Sequence, residues 1–195
     1  MATYIAAPGA GGILADWGAE VLKIEPLAGC PMRYTMKNVG ADHLKGSPIF
    51  DLDNRGKKGL AIDTSKPEGV EAVKRLVKDA DVFITNVRPG GLERAGLDYE
   101  SLKAIKPDII LVTNTAFGTI GPYAKKVGFD SVAQAMSGNM IMSGSPGEPA
   151  KSFGPYVDYG TAGLCAFGTM AAIMHRNATG EGQEVQGALL ATALM

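Results

Sequence analysis

Short, wholly apolar runs alternate along this chain with stretches in which apolar residues recur every three or four positions. The strand-like runs are "EVLKIE" (Glu20–Glu25), Gly59–Asp63 within "KKGLAID", "DVFIT" (Asp81–Thr85) and "DIILVTN" (Asp108–Asn114). Between them, "TSKPEGVEAVKRLVKDA" sets Val70, Val73 and Val77 on one helical face, with Ser65 and Glu68 at capping-box spacing and Pro67 in the first turn. "GGILADWG", "YESLKAI" (ended by Pro107) and "DSVAQAMSG" read as further helices, and "TYIAAPGAGG" as the end of a strand entering a turn. Strands that are apolar throughout and alternate with helices predict an α/β fold with a doubly wound, mostly parallel sheet. Ligands of such sheets lie beyond the carboxyl ends of the strands. The loops that matter are therefore "AAPGAGG", "NVRPGGLERAGL" and "NTAFGTIGPYAKKVGFD".

One stretch departs from the alternation. "GPYVDYGTAGLCAFGTMAAIMHR" (Gly154–Arg176) has small and apolar residues throughout, and Asp158 is the single formal charge between Lys151 and Arg176. Asp158 reads either as the cap of a buried helix or as a carboxylate held ionised and aimed at a substrate by the helix end. The uncharged run after Asp158 has 16 residues and is broken by Gly160, Gly163 and Gly168. It is too short and too weakly apolar for a membrane span, and a close-packed core helix is expected.

Composition narrows the field. The 195 residues suit one domain, or one and a fraction, and a hydrophobic content of 46% supplies a core. A formal net charge of −1 gives no electrostatic reason to expect nucleic acid or an acidic membrane surface. Cys30 and Cys165 stand far apart, outside metal-type spacing, which disfavours a disulfide scaffold and favours a reducing, cytoplasmic setting. No signal peptide is apparent. Both ends read as cut, because "GALLATALM" stops inside an apolar run without a cap, so a piece of something longer is expected.

"PGAGG" invites a dinucleotide site with Glu25 as the ribose acid, but the third glycine of G-x-G-x-x-G falls at Leu14. No phosphate-cradling G-x-x-x-x-G-K-[ST] occurs, and neither His43 nor His175 has a partner at ligand spacing, so no metal is expected. "DNRGKKG" (Asp53–Gly59) reads as a solvated charge cluster. "NVRPGGLERAGL" sets Asn86, Arg88 and Arg94 in a glycine-rich loop after a strand, where backbone amides and guanidinium groups suit an anion.

The ordered blocks "LADWGAEVLKIEP", "NVRPGGLERAGLDYESLKAIKPDIILV", "GFDSVAQAMSG" and "VDYGTAGLCAFGTMAAIMHRNATGEGQEV" span nearly the whole chain. Together they resemble the class III CoA-transferases, the group of formyl-CoA, carnitine and bile-acid CoA-transferases. The resemblance implies a Rossmann-like large domain of which residues 1–195 form the N-terminal part, with a smaller domain and a C-terminal return segment absent from this chain. It also implies an interlocked homodimer, no tightly bound cofactor, and acyl-CoA and carboxylic acid substrates. The family's nucleophilic aspartate falls on Asp158, which would pass through an acyl anhydride and an aspartyl-CoA thioester. An ionised Asp158 is required, and the helix N-terminus is expected to favour that state.

The same resemblance makes Asn86 and Arg94 CoA-contacting, places Arg88 in the same motif, and sets Tyr4, Ile5 and Ala6 in the turn bordering CoA and the acyl site. Ile5, Pro26 and Val87 depart from residues of the formyl-CoA branch, which argues against oxalate or formate as substrate. The family's glycine-rich loop over the active site falls beyond Met195. Two alternatives stand beside transfer: an α-methylacyl-CoA racemase, and a CoA-binding module without catalysis. The racemase histidine is replaced here by Phe129, and the adjacent Asp130 reads as structural.

Overall fold

A computed structural model describes residues 1–195 except positions 39, 42, 44, 45 and 89 and the side chain of Asn38. The described elements begin with α1 (Ala6–Asp16), β1 (Val21–Glu25), a 3-10 turn (Pro31–Tyr34), α2 (Thr35–Asn38), α3 (Pro48–Asn54) and β2 (Lys57–Ala61). There follow α4 (Pro67–Val77), β3 (Val82–Thr85), α5 (Gly91–Ala95), α6 (Tyr99–Ile105) and β4 (Ile110–Thr115). The chain continues through α7 (Asp130–Met136), α8 (Asn139–Ser143), α9 (Tyr156–Thr179), β5 (Glu184–Ala188) and α10 (Leu189–Ala193).

All strand pairs are parallel, as the apolar pattern predicts. β1 pairs with β2, from Val21 opposite Lys57 to Glu25 opposite Ala61. β4 lies between β3 and β5 in a second sheet. Side chains of this sheet alternate between two cores. Phe83, Ile109 and Leu111 pack with Val73, Val77, Leu97 and Leu102 of the α4–α6 layer. Ile110 and Val112 pack on the other face with Ala10, Ala162, Cys165 and Ala172 of α1 and α9. Burial on both faces is why these strands read as continuous apolar runs. Between β1 and β3 runs a cavity of about 660 Å³, walled by Leu14, Ile24, Val77, Phe83, Ile84 and Ile173.

Three local expectations are corrected. "TYIAAPGAGG" is not a strand and turn, because the helix α1 starts at Ala6 and contains Pro8, Gly9, Gly11 and Gly12. Pro8 sits in the first turn, where its missing N–H leaves no helical bond unmade. The glycines serve close packing: a Cβ on Gly9 would stand 3.1 Å from Ala162 Cβ, and one on Gly12 3.0 Å from the Asp53 carbonyl oxygen. That use removes the dinucleotide reading, and Glu25 is buried and taken up by Cys30 N–H and the Arg33 guanidinium. β2 begins two residues before the predicted Gly59, because Gly56 turns the chain at φ 70° and Lys57 is already opposite Val21. Ser65 does not cap α4; Lys66 holds the cap position, and the Ser65 hydroxyl donates to Asp63 instead.

Candidate active site

α9 is 24 residues long, about 36 Å at 1.5 Å per residue. It buries Val157, Thr161, Ala162, Cys165, Ala166, Thr169 and Ala172, one continuous stripe of small side chains against α1 and the sheet. Thr161 and Thr169 satisfy their buried hydroxyls on carbonyls one turn back, at Val157 and Cys165. This stripe accounts for the near absence of charge in the sequence. The helix is not wholly enclosed, however: Leu164, Phe167 and Met174 lie on its exposed side. No described helix is long and apolar enough to cross a membrane.

Asp158 occupies the first turn of α9, half-buried, but it is not the cap. That role falls to Asp130, the first residue of α7. Its Oδ2 accepts from Val157 N–H at 2.9 Å and from Asp158 N–H at 3.1 Å. Its Oδ1 accepts from the Gln134 amide. Asp130 is itself 5% exposed, so two orphan amides of α9 and a buried carboxylate satisfy one another. The expectation that Asp130 is structural is met. The lone Asp158 is thereby left with no capping function.

The ionisation expected of Asp158 is corrected in direction. Burial first, then the charges of Asp130 and Asp53, push its carboxyl up to about 7, with Lys151 opposing. A helix N-terminus favours an anion through its free amides and dipole. Here Asp130 has taken two of those amides and adds its own negative charge. Near neutral pH Asp158 is poised between its two forms.

The turn before α1 meets the starts of α7 and α9. Tyr4 adopts a left-handed backbone, φ 62°, and its ring meets Phe129 edge-on with centroids 5.2 Å apart. Non-glycine residues in this region are uncommon and cluster at functional sites. Ile5, at the cap position of α1, packs on the Cys30, Met32 and Phe50 cluster. Ala6 is buried with Val157, Ala133, Leu189 and Ala193. Thus Tyr4–Ala6, Phe129–Asp130 and Val157–Asp158 are brought together by three helix starts.

Asn86 links this turn to the end of β3. Its Oδ1 accepts from Thr3 N–H at 3.0 Å and its Nδ2 donates to Thr3 O at 2.7 Å. Both ends of the amide are engaged by backbone, so Asn86 fixes the approach to Tyr4. Arg88 and Arg94 are exposed beyond the carboxyl end of β3, and neither forms an ion pair among the described residues. Pro89 of this loop lies outside the described residues. Next to the loop is a cavity of about 250 Å³ bordered by Val87, Leu92, Thr113, Thr115 and Lys125.

The expectation of a solvated cluster at "DNRGKKG" is overturned. Asp53 is 1% exposed, and neither carboxylate oxygen has an ordinary hydrogen-bond partner among the described residues. Burial pushes it up to about 6, against the pull of Lys57. Lys57 is pushed down to about 7, first by burial and then by Lys23, and donates to Pro8 O, Asp53 O and Asn54 Oδ1. Four charges in seven residues look solvated in one dimension, and only packing of α3 against α1 encloses two of them. The sequence signal available was Phe50, which with Asp53 marks the inward face of a short helix. Among the described residues, no group of three His, Cys, Asp or Glu side chains could hold a metal ion.

Comparison with known proteins agrees with this geometry. The profile of CoA-transferase family III matches residues 1–195. Succinate–glutarate CoA-transferase of Agrobacterium fabrum is 39% identical over 97% of this chain and 49% of its own length. Succinyl-CoA–D-citramalate CoA-transferase of Chloroflexus aurantiacus is 39% identical over 95% of this chain and 46% of its own. A crystal structure of a CAIB/BAIF family protein from Brucella suis superposes with a TM-score of 0.92, at 38% identity, covering 100% of this chain and 52% of that one. The chain spans about half the length of the curated relatives it matches. With parallel strands wound on both faces, an aspartate free of capping duty at the head of α9, and a family match along its full length, the chain belongs to CoA-transferase family III.

Proposed function

We propose that the protein transfers coenzyme A from an acyl-CoA thioester to a carboxylic acid, with Asp158 as the nucleophile. The observation that carries the reading is a half-buried carboxylate in the first turn of α9, relieved of capping by Asp130 and set where the starts of α1, α7 and α9 meet. An Asp158 oxygen attacks the thioester carbonyl; the C–S bond breaks, and CoA leaves as thiolate. The thiolate then attacks the aspartyl carbonyl of the mixed anhydride, releasing the donor acid and leaving an aspartyl-CoA thioester. The acceptor carboxylate attacks that thioester, and the returning thiolate takes the acyl group from the new anhydride, which restores Asp158. One thioester replaces another, so no ATP is consumed.

In this reading Arg88 and Arg94 offer exposed guanidinium groups, unpaired among the described residues, to CoA phosphates. Tyr4, Ile5 and Ala6 border the reacting end, and Asn86 acts near CoA chiefly by holding Thr3 in place. Residues 1–195 serve as the N-terminal part of a CoA-binding large domain, supported by their matching half the length of relatives. Further sequence supplies a smaller domain, and two full-length chains interlock. Two free, buried cysteines fit the reducing, cytoplasmic setting this reading includes.

Racemisation needs a proton carrier on each face of the α-carbon. Phe129 cannot serve, and His175 lies 17 residues along α9 from Asp158, about 25 Å away. The test is mass spectrometry of the full-length protein after incubation with succinyl-CoA and other acyl-CoAs. A covalent adduct on Asp158, absent in Asp158→Ala together with turnover, is expected. Comparable turnover in Asp158→Ala at saturating substrate would rule out the nucleophile.

A further inference from the structure

The transfer chemistry described above leaves one buried charge without a task. Asp53 lies near the end of α3 with its carboxylate enclosed and no ordinary hydrogen-bond donor on either oxygen among the described residues. Natural proteins seldom leave such a group unsatisfied without a functional reason. Its surroundings lead to α9. Asp53 Oδ1 is 3.8 Å from the position a Cβ on Gly9 would take, and that same position is 3.1 Å from Ala162, one turn beyond Asp158. The Tyr159 hydroxyl reaches toward the Asp53 carboxyl in a contact looser than an ordinary hydrogen bond. A carboxylate without a hydrogen-bond partner among the described residues is therefore held across Gly9 of α1 from Ala162, the residue one helical turn beyond the proposed nucleophile.

We propose that Asp53 is a positioning residue whose unpaired buried carboxylate favours the covalently substituted forms of Asp158. The inference rests on Asp158 being the nucleophile. Free Asp158 is an anion when it attacks. As the C–O bond forms and the thioester C–S bond breaks, the electron pair and the negative charge leave on the CoA sulfur. In the anhydride, and again in the aspartyl-CoA thioester, the Asp158 side chain is neutral. Repulsion by Asp53 is thus present in the free enzyme and absent in both intermediates, and a difference of that kind drives the reaction forward.

The neighbouring charges do not cancel this arrangement. Asp130 faces Asp158 from α7 but is satisfied by two amides and Gln134, and Lys151 faces it from the preceding loop. α10 brings no titratable side chain, and the single one on α1, Asp16, pairs with Arg55 at the far end of that helix. Around Asp53 stand Lys57, Lys23, Arg55 and Tyr159. Lys57 spends its hydrogen bonds on two carbonyls and Asn54 rather than on the carboxylate.

The experiment compares full-length parent, Asp53→Asn and Asp53→Ala. Its readouts are the pH profile of transfer from succinyl-CoA and the fraction of enzyme trapped as the covalent adduct at pH 8. Both variants are expected to move the acidic limb to lower pH by at least about half a unit, since a like charge is removed. The trapped fraction is expected to fall roughly three- to tenfold. A structural role alone would move neither readout. A folded variant with an unmoved limb and an unchanged trapped fraction would overturn the proposal, as would failure of both variants to fold, which would assign Asp53 to stability. Absence of any adduct on Asp158 in the parent would instead refute the nucleophile, so the two failures are distinguishable.

Discussion

Asp158 is raised toward neutrality by burial and by two carboxylates, and this has consequences for both activity and stability. In the proposed mechanism the attacking form is the anion, so transfer should rise with pH along an acidic limb near pH 7 and level above it. A profile of kcat/KM against pH for the full-length protein checks this; a limb near the ordinary carboxylate range would contradict the burial argument. For stability the sign is fixed by linkage. From the ordinary aspartate value near 4 up to about 7, the folded state binds the extra proton, so this group's contribution becomes less favourable as pH rises. Asp158→Asn should therefore gain on the parent progressively across that window and hold a constant advantage above it. Urea unfolding at pH 5, 6 and 8 measures the difference, and a gain that shrank with pH would refute the assignment.

At the scale of elements, α7 and α9 are joined head to head by one carboxylate. Removing it in Asp130→Ala frees two helix amides and the Gln134 side chain. The expected cost is about 1–3 kcal/mol, a lost cap plus buried groups left unsatisfied. Equilibrium unfolding checks it, and a cost near zero would mean that water replaces the cap. The loop between β3 and α5 makes an independent claim. Among the described residues Arg88 and Arg94 have no acidic partner to lose, so double replacement by alanine should leave stability unchanged while weakening CoA binding about tenfold at low salt, less at high salt. Unchanged affinity by calorimetry would reduce them to surface charge.

Over the whole molecule, apolar area is distributed unevenly. Phe167 and Met174 on α9 are 67% and 70% exposed, Leu194 is similarly exposed, and Ile141, Met142, Phe153 and Met195 are more exposed still. Exposed apolar patches mark association surfaces or promote aggregation. The 195-residue chain in isolation is expected to self-associate at micromolar concentration. Sedimentation showing a clean monomer would contradict this.

The strands β1 to β4, their parallel pairing and the α4 face were legible in the sequence, because burial on two faces or one stripe writes a one-dimensional pattern. Asp158 was legible for the same reason: a single charge in an apolar helix stands out against its neighbours, and the ordered family blocks gave it a role. What the pattern could not show is which groups meet. The glycines of α1 looked like a turn, yet they are spacing for α9 and α3, a demand that exists only between helices. Asp53 looked like surface charge beside three basic residues, and α1 encloses it. The cap of α9 comes from Asp130, 27 residues earlier than the Val157 amide it accepts from. Local sequence determined the elements, since hydrophobic periodicity and turn chemistry act over a few residues. The ionisation of Asp158 was decided only by tertiary structure, because desolvation and the field of distant carboxylates depend on distance through space rather than along the chain.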